Sequence, residues 1–213
     1  MKVKKMVMVL DKQVNNGEIY GVSMEGQEVA QETCTTGIAP ATFRVETTRF
    51  GTLEVASDLV LTFPEGLIGF EMFTRYTVVC TDDQGALRWL QSLDEPALAF
   101  PIIQPGIFRP DYTPTISDQD ARFLGLTPEI PALVFAVVTV PPGRPREMTA
   151  NLLGPLVINP LTRVGKQVIV QDERYSTKHS IMEEILQNLT GAEKPVGAVP
   201  SPTKSRKRSQ RIA

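Results

Sequence analysis

The stretch Leu133-Val-Phe-Ala-Val-Val-Thr-Val140 decides the fold class. It is nearly continuous in apolar residues, which predicts a strand buried on both faces. Shorter strand signals surround it. Phe43–Thr48, Thr52–Val55 and Asp58–Phe63 come first, with Arg49-Phe50-Gly51 as a turn between the first two. Tyr76–Thr81 is followed by the turn sequence Asp82-Asp83-Gln84-Gly85 and then by Leu87–Gln91. Leu98–Gln104, Asn151–Leu153, Leu156–Ile158 and Gln167–Gln171 complete the set.

Seventeen prolines punctuate the loops and oppose long helices. Two short helices are predicted. Ser117 caps an acidic first turn, Asp118-Gln119-Asp120, and Gly125 stands where a helix-ending glycine belongs. Ile181–Leu189 places Ile181, Ile185, Leu186 and Leu189 on one stripe. The pattern predicts a mostly β fold: one antiparallel barrel-like or sandwich domain with one or two short helices. Its expected span is residues 44–192. Residues 1–43 read as an N-terminal extension, either flexible or upstream of a true start at Met24, with one candidate strand at Val3–Leu10. Residues 193–213 are rich in Pro, Ser, Lys and Arg and read as a disordered basic tail.

With 213 residues the chain has room for one domain and tails. A folded core of ~140 residues buries roughly two-thirds of its extended-chain surface, so no metal or disulfide staple is required. Net charge is −2, which does not describe a strongly basic nucleic-acid binder. The charge is uneven: residues 44–130 sum to −7 and residues 131–213 to +6. The first half is therefore expected to present acidic surface. No apolar run approaches the ~20 residues of a membrane span. The apolar part of the N-terminus, Met6 to Leu10, is shorter than the ~7–15 residues of a secretory core. A cytoplasmic protein is expected.

Catalytic and metal sites find little support. His179 is the single histidine, and a triad would have to recruit Ser176 or Thr177 and Asp172 without any nucleophile-elbow glycines. His179 is expected at the surface or in a hinge after the last strand. Cys34, Cys80 and His179 match no zinc spacing, and Cys80 reads as a small core residue of its strand. The acidic neighbours Asp82-Asp83, Asp94-Glu95 and Asp118/Asp120 sit at turns or a helix start, where local hydrogen bonding accounts for them. No glycine-rich phosphate loop is present. Neither catalytic residue, cofactor nor metal is expected.

Phe63-Pro64-Glu65-Gly66-Leu67-Ile68-Gly69-Phe70-Glu71 is the most unusual stretch. Two glycines bracket two aliphatics, between paired Phe and paired Glu. Such a loop either brings backbone and apolar groups to the surface or plugs one barrel end. Together with TTRFGTLEV, RWLQSLDEPALAF, FRPDY, MTANLLGPLVIN and TRVGKQVIVQDERYSTKH, it resembles the bacterial flagellar assembly factor FliW family. The resemblance runs from about Val45 to His179.

That resemblance implies a compact, mostly β protein that is not an enzyme. FliW proteins bind flagellin in the cytoplasm and bind the RNA-binding translational regulator CsrA. Flagellin export frees FliW, which then captures CsrA and relieves repression of flagellin mRNA. Neither membrane nor direct nucleic-acid binding is expected. The acidic half suits a basic regulator, so partner contacts are expected near Glu65, Phe70, Glu71, Asp111 and Tyr112. The alternative is a small β-barrel that binds mRNA directly. That would need exposed aromatics interleaved with basic residues, whereas the basic residues gather in the tail and at Arg144 and Arg146.

Overall fold

The computed structural model describes Met6–Val7, residues 40–81 and residues 85–190. The elements are β1 (Met6–Val7), β2 (Thr42–Thr47), β3 (Gly51–Ala56), β4 (Leu61–Thr62), β5 (Arg75–Cys80), β6 (Leu87–Ser92) and β7 (Ala99–Ile103). They continue with α1 (Asp118–Leu124), β8 (Leu133–Thr139), β9 (Thr149–Ala150), β10 (Leu156–Ile158), β11 (Gly165–Gln167), β12 (His179–Ser180) and α2 (Ile181–Thr190). The expectations for the 193–213 tail, for Met24 and for Asp82-Asp83-Gln84 lie outside the described residues. Of the candidate strand Val3–Leu10, Met6–Val7 is described, and it pairs with β5.

Ten strands form one curled antiparallel sheet in the order β1-β5-β6-β7-β8-β10-β11, with β4 also on β5 and β9 joining β8 to β12. The deciding stretch lies where expected. β8 pairs with β7 on one side and with β10 and β9 on the other, and Phe135, Ala136 and Val138 are buried. The two ends of the curl meet: Thr62 donates its backbone N–H to the Arg163 carbonyl at 2.9 Å, and Thr62 bridges Val164 just before β11. Inside lie Leu61, Phe63, Leu67, Tyr76, Val78, Leu90, Ile102, Phe135, Leu156 and Ile158. Each such aliphatic or aromatic side chain contributes roughly 1.5–3 kcal/mol by leaving water.

The β2–β3 hairpin packs outside the curl through Phe50, Leu53 and Val55 against Val79 and Trp89. The first helix forms as its capping predicts. The Ser117 side chain accepts from the Asp120 amide, and Gly125 ends the helix at φ 64°. Buried Asn159 fixes that end: its Nδ2 donates to the carbonyls of Leu124 (2.9 Å) and Gly125 (3.1 Å).

Three predicted strands are corrected. Asp58–Phe63 divides into a single 3-10 turn at Ser57–Leu59 and the two-residue β4. Asn151–Leu153 is not a strand, because the Asn151 carboxamide captures the N–H groups of Leu153 (3.2 Å) and Gly154 (2.9 Å) and turns the chain. Gln167–Gln171 shifts to Gly165–Gln167. Beyond it, the Val168 and Val170 amides bond to Pro155 and Leu153 without continuing the regular ladder. Cys80 is half-buried at the end of β5 rather than in the core.

Candidate functional site

The loop from Phe63 to Phe73 joins β4 to β5. It is tied down at many points. Gly66 and Gly69 adopt φ 68° and 84°. At Gly66 a Cβ would stand 2.5 Å from the Glu71 Cα, so only glycine fits that crossing of the chain. The Glu71 carboxylate accepts the Gly69 N–H at 2.8 Å, and the Gln167 side chain accepts the Ile68 N–H at 2.9 Å. Leu67 is buried in the core, which leaves Ile68 58%, Phe70 37% and Met72 88% exposed. Phe70 lies edge-on to Phe100 with centroids 5.0 Å apart. Both sequence readings of this loop are therefore realised: Leu67 plugs the core, and its neighbours face outward.

The charges around the loop are unequal. Glu65 pairs with Lys166 at 3.0 Å, and the same ammonium pairs with Asp120 of α1 at 3.0 Å. Hydrogen bonds to Asp120 and then Glu65 raise the Lys166 pKa. Among the described residues Glu71 has no such cation, and its pKa is lowered chiefly by the backbone N–H of Gly69.

Asp111 and Tyr112 lie in a different network, on the segment before α1. The Tyr112 hydroxyl donates to the Leu152 carbonyl at 2.7 Å, its ring meets Tyr175 at 4.7 Å, and burial pushes its pKa up. Asp111 approaches Arg109 at 3.4 Å; its side chain is 56% exposed while that of Arg109 is only 9% exposed. Thus Glu65, Phe70 and Glu71 are held together, while Asp111 and Tyr112 belong to a second cluster. Beside that cluster Gln104–Ile107, Pro110, Pro114 and Val134 join Tyr112 around a mostly apolar cavity of about 330 Å³.

His179 is not a surface residue. It is half-buried, its Nε2 lies 2.9 Å from Glu184 Oε2, and its ring stacks on Phe108. Glu184 also lies 3.9 Å from Arg109. Asp172, which a triad would need, is engaged by Arg174 at 2.7 Å and its pKa is lowered to about 2 by that contact. Among the described residues, no three His, Cys, Asp or Glu side chains cluster to hold a metal ion. Cys34 lies outside the described residues.

The expected acidic surface of the first half is also qualified by the fold. Glu54, Asp94, Asp111, Asp120 and Glu65 all meet cations. Basic groups also meet aromatic rings more than the sequence suggested: Arg49 covers Trp89 at 4.1 Å, and Lys166 approaches Phe123 at 5.0 Å. Ile68, Met72, Lys166, Gln167, Arg109 and Glu184 were not singled out from sequence. The exposed aliphatics were visible within the glycine-bracketed loop, but the Ile68–Gln167 contact spans 99 positions and leaves no local signal.

Residues 44–181 match the model of the FliW protein family. A flagellar assembly factor FliW of Leptospira biflexa is 41% identical over 141 residues, covering 66% of this chain and 92% of that protein. Its counterpart in Thermotoga neapolitana is 35% identical over 141 residues, with coverages of 66% and 95%. A crystal structure of the flagellar assembly factor FliW superposes with a TM-score of 0.60 at 30% identity, covering 65% of this chain and 96% of that one.

Proposed function

The chain belongs to the FliW family of flagellar assembly factors, and on that premise we propose that it is a cytoplasmic binding protein that alternates between flagellin and CsrA. Held by flagellin, it leaves CsrA on flagellin mRNA; freed by flagellin export, it captures CsrA and relieves repression. No step in this cycle needs a catalytic group. Among the described residues, no helix is long and apolar enough to cross a membrane.

The observation that carries this reading is the loop between β4 and β5. Ile68, Phe70 and Met72 form an apolar tip on a backbone fixed by two glycines and two side-chain bonds, so little ordering is left for a partner to impose. Glu71 and Glu65 flank the tip, which suits a partner with basic residues around an apolar contact. CsrA binds RNA and must carry such positive surface. We place its contact on Glu65, Phe70 and Glu71, with Asp111 at the margin and Tyr112 supporting its segment from within. A stable interface takes ~800 Å² per partner, a large share of one face of so small a domain, so the two partners exclude one another.

The test is sizing chromatography with purified CsrA and flagellin. Each should co-elute with the protein alone, and added flagellin should displace CsrA. A stable ternary complex would contradict the alternation.

A further inference from the structure

Three consecutive residues of β11 meet three successive points of the β4–β5 loop. At Gly165 the Phe63 ring stands so close that a Cβ would lie 2.6 Å from it. The Lys166 ammonium stands 3.0 Å from the Glu65 carboxylate. Gln167 Oε1 accepts the Ile68 N–H at 2.9 Å. β11 therefore follows the loop from its buried root at Phe63 to the exposed tip that begins at Ile68.

The three contacts differ in kind. Phe63 is fully buried and holds only the root. The Glu65 side chain is 57% exposed and shares Lys166 with Asp120, and an exposed ion pair holds little. Gln167 bonds to backbone, at the first exposed residue of the tip. The bonds within the tip are local: Glu71 accepts the Gly69 N–H, and the Phe70 N–H donates to the Leu67 carbonyl at 2.7 Å. They shape the tip without fixing where it stands on the domain. Leu67 in the core and Phe70 on Phe100 hold it by apolar contact, which is non-directional. The Gln167 bond adds direction.

Gln167 is itself held. It pairs with Leu156 of β10, and its Nε2 donates to the Gly154 carbonyl at 3.1 Å. The Gly154 N–H is in turn accepted by Asn151 Oδ1 at 2.9 Å. A Cβ on Gly154 would lie 3.1 Å from Gln167 Nε2, so a larger residue there would press on the carboxamide. Bridging a carbonyl to an N–H takes one donor and one acceptor on the same group, which a carboxamide supplies.

We propose that Gln167 is the positioning residue of the β4–β5 tip: by tying the Ile68 amide to β11 it sets where Ile68, Phe70 and Met72 stand before a partner arrives. This rests on the reading of that loop as the CsrA contact and adds the device that presents it. A tip that wanders lowers the fraction of molecules ready to bind, and apparent affinity falls by that fraction.

The test uses the full chain with Gln167→Met, which keeps the length of the side chain and makes neither bond, and Gln167→Glu, which keeps an acceptor for the Ile68 N–H. Gln167→Met should speed exchange of the Ile68 amide roughly three- to tenfold, the worth of one hydrogen bond, while amides of β8 and α1 keep their protection. Gln167→Glu should restore most of the Ile68 protection. Surface plasmon resonance should show CsrA binding several-fold weaker to Gln167→Met and also to Ile68→Ala. In the Ile68→Ala background, Gln167→Met should cost much less, because the side chain it positions is gone. Unchanged Ile68 exchange in Gln167→Met would overturn the proposal, as would loss of protection across the whole sheet or an undiminished effect in the Ile68→Ala background. If Ile68→Ala weakens binding and Gln167→Met does not, the positioning role fails and the loop reading stands. If Ile68→Ala leaves binding unchanged, the loop reading fails and the proposal falls with it.

Discussion

Thr62 gives its backbone N–H to the Arg163 carbonyl at 2.9 Å, and that bond joins the two ends of a curled sheet. Arg163 reaches the position with φ 62°, a conformation L residues seldom adopt. The turn before it is held by Asn159, whose Oδ1 accepts the N–H groups of Leu161 (2.8 Å) and Thr162 (3.2 Å). Closure of the curl, the end of α1 and the rear support of the β4–β5 loop therefore meet in one place.

Replacing Asn159 tests that convergence. The side chain is 1% exposed and serves two carbonyls and two N–H groups. Asn159→Ala leaves these backbone groups without their partner, the Leu124 carbonyl in a buried site and the others in a partly buried one. The expected loss is about 3 kcal/mol, read as a lower urea midpoint with an unchanged slope. A loss below about 0.5 kcal/mol would be that of an ordinary surface change and would show that the turn holds itself.

Close packing at the seam gives a second expectation. A Cβ on Gly165 would lie 2.6 Å from two ring atoms of Phe63. Phe63 is fully buried and edge-on to Tyr76, so it has nowhere to move. Gly165→Ala should cost roughly 1–3 kcal/mol from overpacking. Adding Phe63→Leu should recover part of that loss in a thermal melt, because the smaller side chain gives way.

Much of this was legible in the sequence, for identifiable reasons. LVFAVVTV shows a doubly covered strand because every position but Thr139 is apolar. The first helix was legible because Ser117 and Gly125 are local signals. The seam was not: Thr62 and Arg163 lie about a hundred positions apart, and neither residue type marks closure. The ion pair between His179 and Glu184 was not legible either. Their pairing depends on the turn from β12 into α2, and the buried Arg109 beside them comes from another segment. Within the candidate site, Glu65, Phe70 and Glu71 were found together because one short loop carries them. The reach of Lys166 to both Glu65 and Asp120 could only be seen once β11 was placed beside α1.

Tyr76 offers an unusual substitution. It is fully buried, its hydroxyl has no hydrogen-bonding partner among the described residues, and burial followed by the Asp94 charge raises its pKa to about 12. Removing the hydroxyl relieves a desolvated polar group without breaking a bond. Tyr76→Phe should leave the melting temperature unchanged or raise it. A clear fall would mean that the hydroxyl is satisfied in solution.

Acid should loosen the β4–β5 loop before it unfolds the domain. The Glu71 carboxylate holds the Gly69 N–H, and its pKa is lowered from the usual 4.5. A group with a depressed folded pKa stabilises above its unfolded value and loses that contribution as pH falls through the folded one. Exchange of the Gly69 amide, corrected for its intrinsic rate, should therefore accelerate below about pH 4.5, the ordinary carboxylate range. Glu71→Gln should abolish that pH dependence. If the wild-type amide shows no acid step, Glu71 does not hold the loop in solution.

The final expectation separates the two glutamates of the loop. Both carry one negative charge, but Lys166 stands 3.0 Å from Glu65 while no cation among the described residues pairs with Glu71. The field that an approaching basic partner senses is therefore set mainly by Glu71. Rim charges act on the rate of association and its salt dependence more than on dissociation. Glu71→Lys should slow CsrA association several-fold at low salt and flatten its salt dependence. Glu65→Lys should do less to the rate, but should lower the melting temperature slightly by setting two ammonium groups side by side. Phe70→Ala acts differently. The ring is 37% exposed and packs on Phe100, so its loss should raise the dissociation rate with only a modest drop in thermal stability. Surface plasmon resonance at two salt concentrations, paired with melting curves, resolves all three. If Glu71→Lys leaves association unchanged while Phe70→Ala leaves dissociation unchanged, CsrA docks elsewhere on the domain.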